Sequence, residues 1–110
     1  MISTIIITIS SGQVVSNIAD VRNGRGLFTL VANALTSCQL FLQQGTQANS
    51  ASFKRVDFFN HSAGVSSTWV WSVGSGDRAI PLPGIGGFLR LETSVAQVDN
   101  RSLGLIVGGL

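Results

Sequence analysis

Apolar and polar residues alternate with a period of two along almost the whole chain, and this limits the fold more than any other feature. Ile5, Ile7 and Ile9 share one face of a segment. Leu27–Val31 is a short apolar run that follows the turn formers Asn23–Gly26. Gln39, Phe41 and Gln43 alternate against Cys38, Leu40 and Leu42. Phe53–Phe59 reads as the start of a further strand, with Val56 and Phe58 on opposite faces. Trp69, Trp71 and Val73 share a face; Phe88, Arg90 and Glu92 oppose Leu89, Leu91 and Thr93; Leu103, Leu105 and Val107 close the series. Successive side chains of a strand point to opposite sides, so this pattern marks strands with one face in a core. Turn formers interrupt the runs about every 8–15 residues, the rhythm of an all-β sandwich or barrel. The expectation is a single antiparallel β-sandwich over residues 1–110, of about 7–8 strands, with jelly-roll and immunoglobulin-like topologies both open.

Composition narrows the function classes. Only 11% of the residues are charged, against roughly 25% in an average soluble domain. A hydrophobic share of 45% excludes intrinsic disorder. A net charge of +2 is too small for a protein that coats nucleic acid, and the basic residues are scattered without aromatic interleaving. No apolar stretch reaches about 18 residues, and the chain is too short for a transmembrane barrel. The segment Met1–Ser10 lacks a basic start and a cleavage site, so it reads as a strand rather than a signal peptide.

Catalysis needs a nucleophile with a base, a metal cluster or paired carboxylates. The chain has one histidine, His61, and one cysteine, Cys38, and its five acids are spread along the sequence. Cys38 alternates with Leu40 and Leu42 and reads as a core thiol. No enzyme activity, no cofactor and no metal is expected. Asn60–Ser62 and Asn100–Ser102 match the glycosylation pattern and are read as chance in a chain rich in serine and asparagine. Trp69 and Trp71, at i and i+2, are core residues or a stacking platform for a sugar, with His61 and Asp77 in nearby loops. Arg90 and Glu92 share a strand face and read as a solvated or interfacial pair.

The scarcity of charge is regional. Residues 1–19, 26–53 and 58–76 carry none. Thr4–Ile9 is uncharged, β-branched and free of proline, a composition prone to edge pairing. Six of the seven basic residues are arginine, the cation enriched at protein interfaces. These features point to a homo-oligomer or a subunit docked on a larger assembly. The strand at residues 1–10 is covered either by the sandwich itself or by a neighbouring subunit; the second is favoured, and Ile5, Ile7, Ile9, Arg22, Arg25 and Arg101 are the interface candidates.

The segments Trp69–Val73, Ala79–Gly84, Phe88–Glu92, Asp99–Arg101 and Leu103–Val107 run strand, apolar-proline-glycine turn, apolar-aromatic strand, polar loop and final strand. In this, residues 27–110 resemble the small β-sandwich accessory proteins of tailed-phage virions. The resemblance carries over no functional residue. It implies a capsid cement or decoration protein, made in the host cytoplasm, that sits as a trimer where capsomers meet and binds the major capsid protein or another virion protein. The alternative is a carbohydrate- or receptor-binding sandwich of a tail, spike or head fibre, using Trp69 and Trp71.

Overall fold

Two antiparallel sheets face each other across one apolar core in a computed structural model that describes residues 3–22, 28–32, 35–60, 64–73, 78–82 and 87–108. The strands are β1 (Ser3–Ile9), β2 (Ala19–Asp20), β3 (Phe28–Ala32), β4 (Cys38–Gly45), β5 (Lys54–Arg55), β6 (Asp57–Asn60), β7 (Val65–Thr68), β8 (Val70–Val73), β9 (Arg78–Leu82), β10 (Phe88–Thr93) and β11 (Arg101–Val107). Sheet 1 has the order β1-β11-β3-β9. Sheet 2 has the order β2-β10-β4, and the far side of β4 is shared by β5 and β8.

β5 and β8 together occupy one strand position. β5 lies opposite Gln43 and Gln44, and β8 continues in the same direction opposite Phe41 to Cys38. Between them the chain leaves the sheet as the β6–β7 hairpin. The Val56 N–H donates to the Leu42 carbonyl and the Trp69 N–H to the Val56 carbonyl, which closes the hairpin at its base. The expected continuous strand over Phe53–Phe59 is therefore broken at Val56.

With β5 and β8 counted as one, the strands pair first with eighth (β1–β11), second with seventh (β2–β10), third with sixth (β3–β9) and fourth with fifth (β4–β5/β8). This is a long antiparallel hairpin rolled up, closed by β11–β3 in one sheet and β10–β4 in the other. Such an arrangement is a jelly roll, which decides between the two expected topologies.

Alternation places the core. Ile7 and Ile9 of β1, Leu30 of β3 and Leu103, Leu105 and Val107 of β11 face inward from sheet 1. Ala19, Leu40, Leu42, Leu89 and Leu91 face them from sheet 2. Cys38 is half-buried against this core, and burial raises its pKa, as expected of a core thiol. The sole helix among the described residues is a 3-10 turn at Ser50–Ser52, capped by the Asn49 side chain. No helix there is long and apolar enough to cross a membrane.

Candidate interaction surfaces

The outward residues of sheet 2 make a charged, aromatic face. They are Phe41 and Gln43 of β4, Arg55 of β5, Phe88, Arg90 and Glu92 of β10, and Asp20 of β2. They are brought together by register: Gln43 lies opposite both Arg90 and Arg55, Phe41 opposite Glu92, and Asp20 opposite Phe88. Arg55 grips Glu92 with both ends of its guanidinium, Nε to Oε1 at 3.0 Å and Nη2 to Oε2 at 2.7 Å. The Gln43 amide donates to Glu92 Oε1 at 2.8 Å, and its oxygen accepts from Arg90 Nε. Arg90 Nη1 also reaches Ser50 Oγ at 3.3 Å. A bonded chain thus runs Arg55–Glu92–Gln43–Arg90–Ser50 across the sheet.

Each guanidinium on this face also lies over a phenyl ring. Arg55 sits 3.9 Å from the centroid of Phe41, Arg90 4.8 Å from that of Phe53, and Arg22 4.9 Å from that of Phe88. Arg22 is held to Asp20 by Nε at 2.9 Å and Nη2 at 2.7 Å, and its own N–H bonds the same carboxylate. These bonds lower the Asp20 pKa to about 2 and raise that of Arg22. Both groups of that pair are well exposed, so its contribution to stability is small.

Glu92 is more enclosed than Asp20. The hydrogen bonds from Arg55, then the one from Gln43, hold its pKa below the ordinary 4.5 against the opposing cost of burial. The folded state therefore favours the carboxylate. Its stabilisation is complete above about pH 4.5 and is lost as pH falls through the lower folded value. Glu92→Gln is expected to cost up to about 1 kcal/mol at neutral pH, because Arg55 remains half in solvent. Urea unfolding at several pH values checks this: the gap between wild type and variant should close in acid, and parallel curves would show that the pair adds nothing.

Arg90 and Glu92, which read as a solvated or interfacial pair on one face, take different partners. The two share a face, but Glu92 bonds Arg55 across the sheet and Arg90 bonds Gln43. The sequence signal for this was weak, because Arg55 and Glu92 are 37 positions apart.

The other sequence-derived candidates separate clearly. Ile7 and Ile9 are 0% exposed within this chain, and Ile5 is half-buried against the same core. Their side chains face the second sheet, which covers them, and so do not make an outer apolar face. The outward side of β1 is Thr4, Ile6 and Thr8, with Ile6 58% exposed. Arg22 belongs to the sheet 2 face and not to the neighbourhood of β1. Arg101 lies beside Ile9 in the ladder, bonds Thr36 Oγ1 at 3.2 Å and buries its Nε without an acceptor among the described residues. It is a half-buried residue at the end of the sandwich. Arg25, His61 and Asp77 lie outside the described residues.

Trp69 and Trp71 pack against the core. Trp71 lies opposite the inward Leu40, Trp69 lies off the strand at the hairpin base, and both are half-buried against the core. Their apolar surface fills the sandwich edge where the β6–β7 hairpin leaves it.

A shallow groove of about 330 Å³ runs between Gly45–Thr46 and Lys54–Asp57 at one end of sheet 2. Among the described residues no three of His, Cys, Asp and Glu come together as a metal site. Comparison with protein-family models, with curated proteins and with solved structures finds no match.

Proposed function

We propose that this protein is a non-enzymatic structural subunit of a virion, a capsid cement or decoration protein that docks on the shell through the outer face of sheet 2. The observation that carries this reading is the set of three arginines on that face, each stacked on a phenylalanine. Arginine and aromatic residues are the types enriched where proteins meet, while lysine is depleted. Stacking and the Gln43–Glu92 bonds already hold these side chains in place. Less rotamer freedom is then lost on docking, a cost of about 0.5–1.5 kcal/mol for each free side chain. The face acts by adding contact area at a junction, without chemistry. Within this reading the chain meets two kinds of neighbour, the shell protein on sheet 2 and other copies of itself on sheet 1.

Density-gradient purification of particles from a producing culture tests the proposal. The protein should band with assembled shells. Arg55→Ala with Arg90→Ala should remain folded by circular dichroism and bind emptied shells at least about tenfold more weakly, as hot-spot arginines do. Absence from the particles, or unchanged binding by the double variant, overturns it.

A further inference from the structure

Every open β-sandwich exposes unpaired backbone groups at its edges, and proteins guard such edges with short strands, charges, proline or interruptions. Three of the four edges here carry such a device. β9 contains Pro81. The ladder parity turns the backbone of residue 81 away from β3, so the missing N–H lies on the open side. β2 is two residues long and ends in Asp20, which pairs with Arg22. The β5/β8 edge holds Lys54 and Arg55 and is interrupted by the β6–β7 hairpin.

The fourth edge, β1, has none of these. It runs seven residues without charge, proline or break. One group covers its end: the Asn17 side-chain oxygen accepts the Thr8 N–H at 2.8 Å, and the Asn17 N–H donates to the Thr8 carbonyl at 3.1 Å. Thr8 therefore points its backbone away from β11. In an antiparallel ladder Thr4 and Ile6 must do the same. Their two N–H and two C=O groups have no backbone partner among the described residues.

We propose that β1 pairs antiparallel with β1 of a second copy of this chain, across a twofold axis at Ile5. This register sets Thr4 opposite Ile6 of the second copy and Ile6 opposite its Thr4. Each of these two pairs exchanges two hydrogen bonds, so all four open groups of each copy are satisfied. A register centred on Ile6 would instead need Thr8, which Asn17 already occupies. The strand is its own complement: it has no charge to repel its copy across the axis, and a β-branched threonine meets isoleucine on the outer face. The result is one continuous sheet of eight strands. The inference deepens the structural reading above by naming one partner, and it uses the opposite sheet from the proposed shell contact.

Sedimentation of the full chain at micromolar concentration tests it. The wild type should run at twice the chain's mass. Ile6→Lys, at an exposed position, and Thr4→Pro, which removes only an outward N–H, should each raise the dimer dissociation constant at least about tenfold and leave the circular dichroism unchanged. Ile5→Cys should form an intermolecular disulfide on mild oxidation, because facing residues of a non-hydrogen-bonded pair lie about 4.5 Å apart at Cα. A wild-type monomer, a trimer, a dimer that survives both edge variants, or a dimer that Ile5→Cys fails to cross-link overturns the proposal. Shell binding is read in a separate assay with the arginine variants, so failure of one reading is distinguishable from failure of the other.

Discussion

Leu91→Ala is expected to lower the unfolding free energy by about 2–5 kcal/mol, a large part of the roughly 5–15 kcal/mol that holds a domain together. Leu91 is 0% exposed in the middle of β10, directly opposite Leu42 of β4. Its backbone is fixed as well. The Leu91 N–H donates to Ser16 Oγ at 2.9 Å, and its carbonyl accepts the Ser16 N–H at 2.9 Å. The strand cannot shift to fill the space, so most of the lost volume remains as a cavity. Urea unfolding should show a lower midpoint at unchanged slope. Val98→Ala, at a position 67% exposed, serves as the comparison and should stay within about 0.5 kcal/mol of wild type. A loss below about 1 kcal/mol for Leu91→Ala would mean that the two sheets do not close on this residue.

Gly87→Ala is expected to be nearly as costly, for a different reason. Gly87 opens β10 with φ +83°, a left-handed conformation that costs an L-residue with a side chain about 1–2 kcal/mol. A methyl group there would also stand 2.7 Å from the Gly45 carbonyl oxygen. That oxygen is backbone and cannot swing aside. The Gly87 carbonyl in turn accepts the Val21 N–H at 3.0 Å, so a shift on this side strains the β2 end of the sheet too. The total should exceed about 2 kcal/mol. Gly12→Ala separates the two causes. Gly12 has φ +81° with nothing near the added carbon, so only the conformational cost applies. Thermal unfolding should rank wild type, then Gly12→Ala, then Gly87→Ala. Equal melting temperatures for the two variants would remove the clash from the account.

Much of the sandwich is legible in the alternation. β1, β4, β10 and β11 are long enough for the period to show, and their inward residues are the ones the pattern marks. β2 is too short to carry a period, β7 is largely serine and threonine, and β9 contains a proline that reads as a turn. These strands exist because neighbours with strong patterns supply their hydrogen bonds. The break at Val56 is equally hidden, since Phe53–Phe59 alternates well enough to pass for one strand.

The surfaces were less legible than the core. The lack of charge along β1 is readable in its sequence, but that β1 is an edge is not, and of the two possible covers for Ile5, Ile7 and Ile9 the structure supplies the second sheet. The arginine–phenylalanine face joins residues from β2 to β10. None of its stacked pairs lies within one strand, so no local pattern announces it.

The sequence by itself determined that the chain alternates, turns often and buries one face of each strand, because side-chain direction in a strand depends only on residue parity. It also determined that β1 lacks charge and proline, the usual guards of an edge. Tertiary structure alone decided which strands became edges, what covered each apolar face, and which arginine met which ring. Those outcomes depend on pairing between distant segments, where register and not spacing along the chain sets what touches what.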